Sequence, residues 1–280
     1  MRWWWLPLVV FTGCSPLSKL VVAKPVSDRY ELRTDGHHES DASRVEAAVK
    51  AAHEGLARWG GLPEPVTIYL VGTHGELEHA VSRVGYDWLR AWTRRNDVIF
   101  QAPSTWNASE EALNRLMLHE LTHALLFQRS GGATSWAFKN IPLWFREGMA
   151  IANAGQQGQY PSLEDTTLWL SKHPDLDAFA DGEALSKNQS AEVYGFALHA
   201  FEYLEERVGH EQVLAFINAM YDAPDFAAAF EPTLGLALET FQSDFLAFLK
   251  KRSFRDARRL IPFAPRERRT LPVLQGAESR

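Results

Sequence analysis

The hydrophobic pattern changes character near residue 109. Upstream, short β-branched or alternating runs at 29–33, 66–71 and 97–101 predict strands, and they are separated by stretches of helical spacing. Across 41–59 the apolar residues Val45, Ala48, Val49, Ala52, Leu56 and Trp59 recur every three or four positions, and Gly60-Gly61 stops that helix. Thr73 and Glu76 have the spacing of a capping box and open a second helix running to about residue 83. The segment 85–96, rich in Trp and Arg, reads as a loop, and Pro103 closes the strand that follows it. From 109 onward the spacing is helical almost to the end. Helices are predicted over 109–129, stopped by Gly131-Gly132, over 143–153 after Pro142, and over 192–208, ended by Gly209. Three more follow at 213–221, 225–230 and 238–251, while 155–188 has no period and reads as irregular. The order predicts an α+β fold, with a small N-terminal α/β lobe on a mixed sheet followed by a mainly helical lobe.

Composition narrows the class. A chain of 280 residues, 46% apolar and 12% aromatic, can bury a full core, which excludes disorder and fibrous repeats. Lys plus Arg number 29 against 35 Asp plus Glu, so a nucleic-acid binder working through overall basicity is disfavoured. The charge is uneven: 250–280 carries ten Lys or Arg against three acids, a net of +7, and 14–249 has a net of -14. Residues 253–280 therefore read as a solvated basic tail, with contact to anionic lipid headgroups as the functional alternative. No apolar run reaches the ~18–20 residues of a bilayer span. The single cysteine, Cys14, excludes a disulfide framework, a Cys-ligated zinc site and a CxxC redox pair.

The residues around that cysteine point to export. Met1-Arg2 is a positive start, 3–11 is apolar apart from Pro7, and Thr12-Gly13 places small residues before Cys14. This resembles the lipobox of bacterial lipoproteins, in which the chain is cut before a cysteine that carries the lipid; Phe11 departs from the usual Leu. The resemblance implies a signal peptide at 1–13, lipidation at Cys14, a Ser-, Pro- and Lys-containing tether at 14–27, and a membrane-anchored place in the bacterial cell envelope. Ser15, where Asp would suggest inner-membrane retention, favours the outer membrane facing the periplasm. A later cut near Val21-Val22-Ala23 and an uncleaved anchor are the alternatives.

The chemistry is concentrated in His119-Glu120-Leu121-Thr122-His123, inside the longest predicted helix. Residues i and i+4 share a face, so both imidazoles can reach one metal ion, and Glu120 is turned about 100° away, beside the ion rather than on it. Two histidines and a glutamate in an otherwise amphipathic helix are costly to bury without partners. Catalytic zinc usually takes a third protein ligand. The metzincin pattern fails, because Leu126 and Arg129 stand where Gly and His are required. A glutamate on a following helix is the other common solution, and Glu147 lies 24 residues after His123; Glu164, Asp165 and His173 are weaker rivals.

HELTH followed by Pro142-Leu143-Trp144-Phe145-Arg146-Glu147-Gly148-Met149-Ala150 resembles the gluzincin zinc metallopeptidases, specifically the peptidase MA-like group with its PxWxxEGxA signature. The resemblance covers about residues 28–252 and implies a zincin-like peptidase domain. It implies one Zn²⁺ on His119, His123 and Glu147, Glu120 as general base, and a peptide or protein substrate. Gly148 is expected to let two helices approach closely enough to share the metal. The family commonly uses a tyrosine, histidine or arginine toward the oxyanion; Tyr194 is the candidate here, with Tyr160 and His199 behind it. The strand at 98–101 is a candidate edge for pairing with an extended peptide. The rival reading is a non-catalytic zinc-containing lipoprotein acting as a binding or structural module, which has no use for Glu120. His37-His38 reads as solvated in a polar loop, and His53, His74 and His79 lack a ligand partner at metal spacing.

Overall fold

The computed structural model describes residues 16–257, with side chains from 17 to 251. The expected signal at 1–13, Cys14 and the tail from 258 onward lie outside the described residues. A mixed five-stranded sheet is built from β1 (Val22–Pro25), β2 (Tyr30–Thr34), β3 (Val66–Val71), β4 (Ala91–Arg94) and β5 (Asp97–Gln101), in the order β1-β2-β3-β5-β4. β2, β3 and β5 run parallel, and β1 and β4 are antiparallel edges. Between the parallel strands run α1 (Glu39–Ala57) and α2 (His74–Val81), the second opened by the capping box of Thr73 and Glu76.

Period-two alternation assigns the two faces of the sheet. Ile68, Leu70, Val98 and Phe100 join α1 in the main core, while Val71 and Ile99 join Leu77 and Val81 of α2 in a smaller cluster on the other face. α3 (Glu110–Ser130) lies beside α1 on the main-core face and runs under β4. Then come α4 (Leu143–Asn153), α5 (Leu163–Lys172), α6 (Gly182–Leu185), α7 (Ser190–Val208), α8 (His210–Ala219), α9 (Phe226–Leu234) and α10 (Leu238–Ala257). Trp144 anchors this lobe, with its ring stacked on Phe241 at 5.1 Å and edge-on to Phe145 and Phe226. The buried cluster is continuous from Tyr30 to Leu249, so the lobes share one core. Among the described residues no helix is long and apolar enough to cross a membrane.

Five expectations are corrected. Residues 22–25, inside the expected tether, pair with β2 as an edge strand. Within the expected loop 85–96, residues 91–94 fold back on β5 through the two-residue turn Arg95-Asn96, with Arg95 at φ 40°. β5 is therefore interior, covered by β3 and β4, and the exposed edge on that side belongs to β4 rather than to 98–101. The stretch 155–188 contains α5, whose Ser162 side chain caps the Asp165 amide, and the short α6. α10 extends to Ala257, past the expected start of the tail.

Candidate metal centre

Helix α3 holds its chemistry in mid-helix. Ser109 caps it by accepting from the Ala112 amide, and Glu110 and Glu111 lie at the positive end of its dipole. Its central turns pack under the sheet, so His119, Glu120 and His123 are all buried. α4 starts after Pro142 and brings Glu147, 8% exposed, against them. His119 Nε2 and His123 Nε2 are 3.1 Å apart, and Glu147 Oε2 is 3.4 Å from each.

These three atoms form a group that could hold a metal ion. Tetrahedral zinc with bonds of ~2.0–2.1 Å separates its ligand atoms by ~3.3 Å, which matches all three edges of the triangle. Donor chemistry agrees. Gln156 Oε1 is 2.8 Å from His119 Nδ1; an amide oxygen only accepts, so Nδ1 carries the hydrogen and Nε2 turns its lone pair inward. His123 Nδ1 is buried without a partner, and its ring stacks on Phe127. Two imidazole nitrogens and a carboxylate oxygen converging at these separations, away from water, could hold a cation between them.

The same groups also shift one another's acidity. Burial works against a charged Glu147, but His123, His119 and Arg146 outweigh it and hold its carboxyl well below the ordinary carboxylate range. Burial likewise opposes the His119 imidazolium, and Glu147 with Glu120 more than compensates, so its pKa is raised. Arg146 Nε lies 3.4 Å from Glu147 Oε1 and pairs on its other side with Glu183.

Glu120 lines the same cavity, of about 270 Å³, without joining the triangle. Its Oε2 accepts from Thr93 Oγ1 at 2.7 Å, and the Thr93 hydroxyl also lies 3.1 Å from the Glu120 carbonyl. Thr93 belongs to β4, so the exposed edge strand touches Glu120 directly. Tyr194 and Tyr160 line the cavity wall with ring centroids 5.9 Å apart, and Trp88 stands edge-on to Tyr194. Burial first, and then the Glu147 carboxylate, push both phenols above their ordinary value, so both keep their protons at neutral pH.

Of the residues singled out in the sequence, His119, Glu120, His123, Glu147, Tyr160 and Tyr194 share this cavity. His199 does not; it bonds the Pro161 carbonyl. The rival ligands lie elsewhere, with Asp165 at the α5 N-terminus and His173 on the Trp169 carbonyl. His53 pairs with Tyr30, and His74 with Gln101. Gly148 packs α4 on α7, not on α3, which corrects the expected role of that glycine. Thr93, Gln156 and Arg146 were not foreseen as parts of the site. An alternating Ala-Trp-Thr-Arg before a two-residue turn was the one available signal for Thr93, and nothing local marks Gln156. No protein-family model and no curated protein matches this chain.

Proposed function

We propose that the protein is a zinc-dependent metallopeptidase of the gluzincin type, with a zincin-like fold, and that Cys14 anchors it by a lipid in a bacterial envelope. The observation that carries the catalytic reading is Glu120. Its carboxylate stands in the cavity of the three-ligand triangle, buried and held by Thr93, yet it is not one of the ligands. A structural metal site has no use for a base in that position.

His119, His123 and Glu147 would hold the ion, with Gln156 fixing the His119 tautomer. Zinc, when bound, supplies a Lewis acid that polarises a carbonyl and makes water acidic at neutral pH. Glu120 takes the water proton on its carboxylate and delivers it to the departing amine. The single Thr93 hydrogen orients that carboxylate. Tyr194, protonated and buried in the wall, offers its O–H to the oxyanion. A peptide lying along the free edge of β4 would pass Thr93 and therefore Glu120.

The test is Glu120→Gln, which keeps size and shape but cannot accept a proton. Zinc content and melting temperature are expected to match wild type, while cleavage of a mixed peptide library falls by ~10² to 10⁴. Equal cleavage by both zinc-loaded proteins, or none by wild type across a broad library, removes the peptidase reading.

A further inference from the structure

Next to the metal cavity lies a second one of about 600 Å³, and the two share Trp92, Thr93, Phe127 and Arg146 as their common wall. They are two chambers of one cleft. Their polar linings are unlike. The metal chamber holds Glu120 and Glu147, whereas the second contains Arg83, Arg94 and Arg146 with Glu183 as its one acid, and Arg146 already pairs with Glu183.

Arg83, Arg94 and, in the metal chamber, Arg90 have no carboxylate oxygen within 4 Å among the described residues. Arg83 lies 4.4 Å over the Trp92 ring and reaches only the Tyr86 hydroxyl. Arg94 donates to the Val81 carbonyl at 3.1 Å, and Arg90 to the carbonyls of Asp87 and Leu89. Arg94 is on β4, Arg90 immediately precedes it, and Arg83, eight residues before the strand, reaches it by packing over Trp92. On a body of net charge -14 over 14–249, these guanidinium groups, with no carboxylate within 4 Å among the described residues, form a cationic island at the β4 edge. Such an island, walled by apolar rings, focuses its field into the cleft.

We propose that the Arg83–Arg94 chamber is a specificity site for acidic side chains, so that the preferred substrate is an extended peptide with Asp or Glu a few residues from the point of attack. The inference rests on the peptidase reading for the word substrate; the binding preference does not need it. Trp92 supplies the flat wall that holds Arg83 in place, and a carboxylate entering beside it meets two guanidinium groups that have no carboxylate within 4 Å among the described residues, Asp97 acting on Arg94 only at longer range.

The probe is a set of fluorescein-labelled octapeptides with Phe fixed centrally and a single Asp, Asn or Lys stepped through the other positions. They are titrated into zinc-loaded Glu120→Gln protein at low salt. At one or two adjacent positions Asp is expected to bind about 3- to 10-fold tighter than Asn, and 0.5 M salt should collapse the difference. Arg83→Gln/Arg94→Gln should erase the preference and Arg83→Glu/Arg94→Glu should turn it toward Lys. Matching melting temperatures check that both variants fold. Absence of an Asp preference at every position, or its survival in the double glutamine variant, overturns the proposal. So does a variant that loses only its binding to phosphatidylglycerol vesicles, which would make the island a membrane contact. Wild type that cuts nothing while the Asp preference holds sinks the peptidase reading alone; cleavage indifferent to Asp sinks this one alone.

Discussion

Gly148 follows the candidate ligand Glu147, and its substitution by alanine tests whether α4 is placed by its crossing with α7. A methyl carbon built at Gly148 stands 2.6 Å from Phe201 Cβ and closer still to the Ala197 carbonyl oxygen. Ordinary carbon contacts need ~3.5–4.0 Å, so α4 must retreat by about 1 Å. Neither neighbour can yield, because Ala197 and Phe201 are fully buried and the contacting atoms are backbone and Cβ. Overpacking of this kind costs about 2–3 kcal/mol. At about 2.1 cal/mol/K per residue over 16–257, the unfolding entropy is about 0.5 kcal/mol/K, so the melting temperature should drop by about 4–6 °C. The retreat carries Glu147 with it. Metal bonds tolerate only ~0.2 Å, so zinc affinity should fall by about 10- to 100-fold. The assays are a thermal melt of the metal-free protein and a chelator competition for zinc. Gly158→Ala is the control, since nothing lies within 4 Å of the added carbon and its backbone is not left-handed. A Gly148→Ala protein that melts with wild type and keeps its zinc affinity would refute the claim that this crossing positions the ligand.

The other expectations are briefer. Thr93→Val removes the hydroxyl that orients Glu120 and should lower kcat about tenfold while sparing KM and zinc content, with Thr93→Ser recovering most of the loss; a serine variant as slow as the valine one would show that packing, not the hydrogen bond, matters. Alanine at His119, His123 or Glu147 should take zinc well below one per chain by elemental analysis, and full zinc in the Glu147 variant would mean a different third ligand. Cys14→Ala should release the protein from the membrane fraction or leave its signal uncut, and unchanged fractionation with unchanged processing contradicts lipidation. Arg95 Nη1 and Nη2 each bond Glu64 at 2.5 Å, and with Asn96 they depress the Glu64 pKa to about 2. A depressed carboxyl stabilises above its unfolded value of ~4.3 and loses that contribution as pH falls toward 2; Glu64→Gln should flatten the fall in melting temperature over that window, and identical acid profiles would show that the pair contributes nothing.

How much was legible depended on where the information sits. His119, Glu120 and His123 are legible because the helical period alone puts them on adjoining faces, and Glu147 because Pro142 and an apolar run announce its helix. The capping box of Thr73 and Glu76 was equally readable, since both its bonds are local. β4 was not. Four residues of Ala, Trp, Thr and Arg have no local preference strong enough to outweigh a loop, and the strand exists because β5 pairs with it and α3 packs beneath it. Misreading it hid Thr93 and moved the free edge of the sheet to the wrong strand. α5 did carry a signal, with Ser162 three residues before Asp165, but two prolines, Pro161 and Pro174, and the β-branched pair Thr166-Thr167 obscured it. Gln156 lies in the turn after α4 and finds His119 only through the tertiary fold.

The two helices that bear the candidate ligands are located by different neighbours. α3 rests on α1, and through Thr93 it is tied to β4. α4 rests on α7 through Gly148, where any side chain would force the helices apart. The two helices also touch each other, Asn153 of α4 donating to Thr122 of α3 at 2.9 Å, and together these contacts bring Glu147 to the two imidazoles with edges of 3.1 and 3.4 Å. Arg146, next in sequence to Glu147, then closes the wall between the chambers and ties α4 to Glu183 of α6. The free edge of β4 thus runs from Arg94 to Thr93, one hydrogen bond from Glu120. On the proposed peptidase reading, a chain paired along that edge would be brought into register with Glu120 and with the cationic chamber by the same four residues, which is the physical reason to expect selectivity and cleavage to fail together when β4 is disturbed.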